Sequence, residues 1–167
     1  MKEKWQSILK KELTGRDKLI VLGTGNALKA DDAAGLLVAN LLDKSLNRFQ
    51  KSRIKVLRAY EIIDLYLKKI KRIKPSHLII IDAIDSGRKP GSIITIRLDP
   101  VKKRKKKVGG NFYNFLEKLS AASSCKIYLM GIQPETLDFG HPITPVIKQS
   151  CRQITEFITQ LVSNKPV

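Results

Sequence analysis

Cysteine is scarce in this chain, and its scarcity excludes two kinds of small cross-linked fold. Cys125 and Cys151 are the only cysteines among 167 residues, they lie far apart, and no C-x-x-C pair occurs. Neither a disulfide framework nor a zinc knuckle is therefore indicated. We expect two reduced thiols in one domain that covers residues 1–167, a length sufficient to bury a single core.

Long apolar runs are lacking too. The first eight residues carry charges where a signal peptide needs an apolar core. No apolar run in the sequence approaches the length that spans a bilayer. We therefore expect a soluble cytoplasmic protein that has no membrane partner.

Motifs for nucleotide binding and for acyl transfer are missing as well. Gly23-x-Gly25 begins like a dinucleotide fingerprint, but the third glycine is absent and two aspartates stand where a pyrophosphate needs bare N–H groups. There is no Walker A lysine motif and no G-x-S-x-G elbow, and neither cysteine neighbours a candidate base. These absences disfavour nucleotide-dependent enzymes and the common serine and cysteine hydrolases.

The sequence does contain a compact strand, loop and helix start at Leu19–Gly35. Leu19–Leu22 is a continuous apolar run, which is typical of a parallel strand covered on both faces. Gly23 and Gly25 interrupt the run with residues that tolerate a positive φ, so we expect the strand to end in a tight loop. Open α/β sheets bind ligands at such carboxyl ends of strands.

Two adjacent aspartates follow this loop. Asp31 and Asp32 stand just before an apolar helical pattern that begins near Ala33. We expect one of them to cap that helix, because a carboxylate accepts backbone N–H bonds there and faces the positive end of the helix dipole.

Helical and strand patterns alternate along the rest of the chain. Apolar residues at helical spacing predict helices over 3–13, 33–43, 62–73, 112–119 and 144–161, and apolar or β-branched runs predict further strands over 54–59, 77–83, 92–98 and 126–132. Alternation of this kind predicts an α/β fold, a three-layer α/β/α sandwich with a mostly parallel twisted sheet of about five strands and helices on both faces.

Acidic side chains follow two of the predicted strands. Asp82 and Asp85 end the run over 77–83 at the same edge of the sheet as the opening loop, which carries Asp31, Asp32 and Asn26. Converging carboxylates can hold a divalent cation or act as general acid and base. The structural alternative is that these aspartates only cap a helix and accept loop N–H bonds.

Basic residues greatly outnumber acidic ones. The chain has 32 Lys plus Arg against 15 Asp plus Glu, a formal charge of +17, and the run Lys102–Lys107 reads as a solvated loop. A surface for an acidic partner or a nucleic acid is one explanation, and general enrichment in surface lysine is another. Only Phe112 and Tyr113 offer aromatic rings beside the run, which makes nucleic-acid binding the weaker prediction.

Three patterns in this order resemble the hydrogenase maturation proteases. The first is the glycine loop with Asn26 and its acidic pair, the second is the strand and turn over 74–91, and the third is Gly131-Ile-Gln-Pro-Glu-Thr-Leu-Asp138 followed by Pro142-Ile-Thr-Pro145. Together they cover most of the chain. The resemblance implies an endopeptidase that removes the C-terminal extension of a nickel-iron hydrogenase large-subunit precursor after nickel insertion. It implies no intrinsic cofactor, because the nickel belongs to the substrate.

The resemblance also implies three side chains that contact the metal. Asp32 matches the first, an acidic residue in the opening loop, and is our candidate catalytic residue. An ungapped count places the second on Arg58, with Glu61 and Asp64 as the nearest carboxylates. The third falls within 108–111, where there is no histidine.

Other residues of this resemblance have less direct roles. His141 is the remaining candidate for a metal contact, while His77 begins a strand and is expected to be structural. We expect the remaining members of the acidic cluster to shape the loops around Asp32; these residues are Asn26, Asp31, Asp82 and Asp85. The alternative function is that of a catalytically impaired relative that binds a hydrogenase precursor or another acidic partner through its basic surface.

Overall fold

A mixed sheet of five strands organises the chain. The structure is a computed structural model that describes residues 4–13, 18–60, 62–99, 110–121 and 123–163. The strands are β1 (Leu19–Thr24), β2 (Ile54–Tyr60), β3 (His77–Ala83), β4 (Ile93–Leu98) and β5 (Lys126–Ile132). Their order in the sheet is β2-β1-β3-β5-β4, so β1 and β3 occupy the middle.

Four of the strands run parallel. β1 pairs with β2 on one side and with β3 on the other, and β3 pairs with β5. β4 lies antiparallel to β5 at the edge of the sheet. The carboxyl ends of β1, β2, β3 and β5 therefore meet at one edge, which we call the carboxyl edge.

Helices cover both faces of the sheet. They are α1 (Lys4–Glu12), α2 (Ala34–Ser45), α3 (Arg48–Arg53), α4 (Leu67–Ile73), α5 (Gly110–Ser120) and α6 (Pro145–Ser163). Two short 3-10 turns, Ala30–Ala33 and Ile63–Tyr66, precede α2 and α4.

The alternation of side chains along each strand produces two separate cores. Leu19 and Val21 of β1 point to the face covered by α1, α2 and α6, while Ile20 and Leu22 point to the face covered by α4 and α5. Because both faces are buried, the inner positions of the central strands, Leu19–Leu22 and Leu78–Ile81, are all apolar. The predicted three-layer α/β/α sandwich is confirmed.

The sequence prediction missed one helix and misjudged the start of another. α3 is a polar segment that begins with a capping box, in which Asn47 and Gln50 exchange side-chain to backbone bonds of 2.8 and 2.9 Å. The helix predicted over 62–73 begins instead as a 3-10 turn and becomes α4 only at Leu67. It ends through Lys74, whose φ of 51° is left-handed.

Some predictions fall on residues that the structure does not describe. Glu61 and the basic run Lys102–Lys107 lie outside the described residues. Within the described ranges, no helix combines the length and the apolar character that crossing a membrane requires.

Candidate active site

The opening loop depends on two glycines, for different reasons. Gly25 has a φ of 131°, and a Cβ there would overlap the carbonyl oxygen of Asp32. Gly23 belongs to β1 and needs no positive φ, so the prediction for that residue is wrong. It is needed because the backbone of Gly35, at the start of α2, approaches so closely that a Cβ on Gly23 would overlap its carbonyl oxygen.

The Asp32 side chain is held in place by a backbone N–H group of the same loop. Oδ2 of Asp32 accepts the N–H of Asn26 at 2.9 Å, and Oδ1 of Asn26 accepts the N–H of Leu28 at 2.8 Å. These two bonds fold the loop back on itself and keep the Asp32 carboxylate at the carboxyl edge.

Asp82 meets Asp32 from the neighbouring strand. Burial at the end of β3 raises the pKa of Asp82 from 3.8 to about 6; a hydrogen bond from the Thr24 side chain opposes this, and the charge of Asp32 adds to it. Oδ1 of Asp82 also accepts the N–H of Ala83 at 2.9 Å. The carboxylate of Asp32, in the 3-10 turn after β1, and that of Asp82, in β3, therefore lie close enough to repel each other, and we call these two residues the acidic pair.

Asp31 has a different environment from its neighbour. It is fully buried, and its carboxylate accepts the N–H of Glu135 at 2.9 Å, that of Thr136 at 3.2 Å and that of Thr144 at 2.7 Å, together with the Thr144 hydroxyl at 3.1 Å. The Asp31 N–H in turn donates to the carbonyl of Thr136 at 3.3 Å. Asp31 thus joins the opening loop to the 133–144 segment that connects β5 to α6.

The helix-capping prediction for Asp31 and Asp32 is wrong. Neither the 3-10 turn Ala30–Ala33 nor α2 has a side-chain cap. Both aspartates lie inside the 3-10 turn rather than before it, so their carboxylates bond to other parts of the chain instead of the first N–H groups of the helix.

Asp85 belongs to a second polar cluster beside the acidic pair. Its Oδ1 accepts the N–H of Gly87 at 3.1 Å and the side-chain amide of Gln133 at 3.3 Å. Oε1 of Gln133 accepts the Ser86 N–H at 2.7 Å and the Arg88 N–H at 3.3 Å. Gln133 therefore organises the turn after β3, a role that sequence reasoning missed although the residue stands inside the late motif.

Arg58 and Asp64, the described candidates for the second metal contact, form bonds away from the acidic pair. Arg58 of β2 donates to Asp43 at 2.8 Å and to Asn40, both on α2. Asp64 pairs with Lys118 of α5 at 3.5 Å. Both side chains are thus engaged elsewhere on the surface.

The two histidines differ in position. His141 is exposed in the 133–144 segment, next to Gly140, whose N–H donates to the carbonyl of Leu28 at 2.8 Å. His77 is buried at the opposite end of β3 and stacks on Tyr128 with ring centroids 6.1 Å apart. Within the described part of the chain, no three His, Cys, Asp or Glu side chains are grouped so as to hold a metal ion.

Both cysteines are poor nucleophiles in this fold. Burial raises the pKa of each thiol from 9.0 to about 12, and at Cys151 the charge of Asp31 contributes to the shift. Thiols with such pKa values stay protonated near neutral pH, so neither cysteine is suited to act as a nucleophile.

A family of known proteins matches most of the chain. The family model HycI, hydrogenase maturation protease, matches residues 38–161. The chain belongs to the hydrogenase maturation protease family. It is a maturation endopeptidase by that membership, and the resemblance found in its sequence is confirmed.

Individual relatives of this protease match nearly the whole domain. The hydrogenase 3 maturation protease of Escherichia coli K12 is 26% identical over 136 residues, which cover 81% of this chain and 85% of that protein. The hydrogenase expression/formation protein HupD of Bradyrhizobium diazoefficiens is 30% identical over 160 residues, covering 88% and 79%. The crystal structure of the [NiFe] hydrogenase maturation protease HycI from Thermococcus kodakarensis superposes with a TM-score of 0.84 at 25% identity and covers 95% of this chain and all of that one.

Proposed function

We propose that this protease removes the C-terminal extension of a nickel-iron hydrogenase large-subunit precursor, and that it recognises nickel already carried by that precursor. The observation that supports the proposal is the acidic pair. Asp32 lies in the 3-10 turn after β1 and Asp82 lies in β3; both are at the carboxyl edge, and the charge of Asp32 helps to raise the pKa of Asp82. Two carboxylates that repel each other are stabilised when a cation is placed between them.

The acidic pair offers a second metal contact in place of Arg58, the position that the residue count had indicated. Asp32 is proposed as the principal metal contact and Asp82 as the second, since Arg58 is bonded to Asp43. His141 is exposed and is not grouped with Asp32 and Asp82 in this structure, so we propose that it becomes a third contact only when the precursor is bound. An imidazole and two carboxylates are reasonable ligands for a borderline cation such as Ni²⁺.

The acidic pair also suits the hydrolytic step. Hydrolysis of a peptide bond needs a water molecule that loses a proton as it attacks the carbonyl carbon, and the leaving amine must gain one. A cation on the substrate promotes the attack by polarising the water or the carbonyl group. Asp82, with a pKa of about 6, is well matched to accept and return a proton near neutral pH.

The compartment is part of the proposal. Cys125 and Cys151 are both free thiols. Unpaired thiols are usual in a reducing compartment, so we propose that the protease acts in the cytoplasm.

Cleavage of a nickel-loaded precursor tests the function. Wild type should release the extension, and Asp32→Ala should lower kcat/KM by roughly a hundredfold, about 2.7 kcal/mol of transition-state stabilisation. Arg58→Ala is the matched control, since it removes a polar side chain next to the same loop without touching the acidic pair. Equal cleavage by wild type and Asp32→Ala, or no cleavage by either, would contradict the proposal. Tight binding without cleavage that weakens with salt would favour the impaired relative instead.

A further inference from the structure

The 133–144 segment, which connects β5 to α6, presents large apolar side chains to solvent. Leu137 is 50% exposed and Phe139 is 69% exposed, within a run of exposed residues over 137–142. Leu28 of the opening loop is 60% exposed, and its carbonyl accepts the N–H of Gly140 at 2.8 Å, so its backbone adjoins theirs. We call Leu28, Leu137 and Phe139 the apolar patch. Exposed apolar side chains gathered in this way are typical of a protein interaction site.

Hydrogen bonds hold the 133–144 segment at both ends and at its tip. The buried carboxylate of Asp31 accepts two N–H groups near the start of the segment and that of Thr144 at its end. The bond from Gly140 to Leu28 fixes the tip. A loop that is already held in one conformation loses little entropy when a partner covers it. The apolar patch is therefore preorganised for binding.

The charge of the carboxyl edge is opposite to that of the chain as a whole. The loops at this edge hold seven of the 15 acidic residues and three of the 32 basic ones; they span 25–33, 61–66, 84–92 and 133–144. Their formal charge is −4, in a chain of +17. The 133–144 segment itself carries Glu135 and Asp138, both exposed, and no Lys or Arg. A partner that meets this segment should therefore be basic.

The charge of the rest of the chain makes that attraction selective. Most of the molecule repels a basic surface, which is attracted only where carboxylates outnumber lysine and arginine. An acidic surface would be drawn to the other faces instead. The occupant that fits the patch best is a surface that combines an apolar hollow with Lys or Arg side chains.

We propose that the apolar patch, together with Glu135 and Asp138, docks the folded part of the precursor through a basic, apolar surface that lies away from the bond that is cut. The inference rests on the proposed function and adds a second point of contact to it. The acidic pair belongs to β3 and to the loop after β1, whereas the 133–144 segment follows β5, to one side. A tail that lies across the acidic pair leaves this side of the edge to the folded body from which the tail emerges.

Photochemical cross-linking locates the contact. With p-benzoylphenylalanine in place of Phe139, cross-links should form to large-subunit residues upstream of the extension, and mass spectrometry should find them next to Lys or Arg. The same probe in place of Phe49 is the matched control. Phe49 is 52% exposed but lies on α3, which leads into the start of β2 at the opposite edge of the sheet.

Affinity for the nickel-free precursor tests the apolar and the charged parts of the surface separately. Phe139→Ser should weaken binding by roughly tenfold. Asp138→Lys should weaken it by a similar factor at low salt and by less at high salt. Phe49→Ser and Glu156→Lys should both stay within about twofold of wild type, and the second makes the same change in net charge at an exposed position of α6.

The outcomes separate this inference from the proposed function. Cross-links from position 139 that fall in the extension, fall on a second copy of the protease, or do not exceed those from position 49 would overturn the docking proposal. It also fails if wild type does not bind the precursor, or if both patch variants bind like wild type. Normal cleavage with unaltered binding by the patch variants would leave the proteolytic function standing without the docking surface. Contact with the folded part in the absence of any cleavage would do the reverse.

Discussion

The buried carboxylate of Asp31 offers the sharpest prediction about stability. It accepts four hydrogen bonds from Glu135, Thr136 and Thr144, and all four come from the segment between β5 and α6. A hydrogen bond to a charged group contributes about 1.5–3 kcal/mol, and a buried donor left without a partner costs about 1–3 kcal/mol. Since water can partly replace the lost carboxylate, we expect Asp31→Ala to lower the free energy of unfolding by about 3–5 kcal/mol rather than by the full sum.

Urea unfolding and hydrogen exchange measure this effect at two levels. Unfolding curves give the total loss, and the amides of Glu135, Thr136 and Thr144 should lose protection first. Asp43→Ala is the control, because the Asp43 carboxylate forms an exposed pair with Arg58 and should cost about 1 kcal/mol or less. A loss below about 1 kcal/mol for Asp31→Ala, with the three amides still protected, would refute the reasoning.

Three further predictions concern the acidic pair and the glycines. Because the folded pKa of Asp82 is about 6 and its ordinary value is 3.8, the wild type loses stability as pH rises from about 4 to 6; Asp82→Asn should therefore gain about 1–3 kcal/mol over wild type at pH 7.5 and little at pH 4, by urea unfolding at both values. Asp32→Asn should lower the pKa of Asp82, because it removes one charge that raises it, and the shift is measurable by carbon NMR of the carboxyl group; an unchanged pKa would mean that the two side chains do not interact. Gly35→Ala should destabilise by about 2–3 kcal/mol or more in thermal unfolding, because its Cβ would overlap backbone oxygens, whereas Gly87→Ala has open space and should cost only about 1 kcal/mol for its positive φ.

The sheet was predictable because burial on both faces leaves a strong pattern. β1 and β3 are central strands, and each contains a continuous run of four apolar residues. α3 gave no such pattern because it is short and polar. Its only signal is the Asn47 to Gln50 capping box.

The different roles of Asp31, which is structural, and Asp32, which lies at the site, could not be predicted. The two residues are adjacent and chemically identical, so sequence pattern cannot distinguish the one that is fully buried from the one that faces Asp82. The partners of Asp31 lie more than a hundred residues away, in the 133–144 segment. Long-range packing alone assigns a structural role to one and leaves the other at the site.

Counting residues along the chain also failed to identify Asp82 as the second carboxylate of the site. Register pairs Arg58 with Gly23, and its guanidinium turns toward Asp43 on α2. Asp82 instead lies near the end of the central strand β3, next to Asp32. The order of the strands in the sheet, which cannot be read from the sequence, therefore determines which two carboxylates lie together.

Exposed apolar residues were likewise hidden in the sequence. Leu137 and Phe139 look like core residues when read along the chain, and only their place on the carboxyl edge makes them a surface.

The central claim is that Asp32 and Asp82 together receive a cation carried by the substrate, and the affinity of the protease for loaded and unloaded precursor tests it most directly. We predict that wild type binds the nickel-loaded precursor at least about tenfold more tightly than the nickel-free form, a difference of about 1.4 kcal/mol. That preference should disappear when both aspartates are replaced by asparagine, while affinity for the nickel-free form changes little. Equal affinity of wild type for the two forms, or a preference that survives the double replacement, would contradict the account.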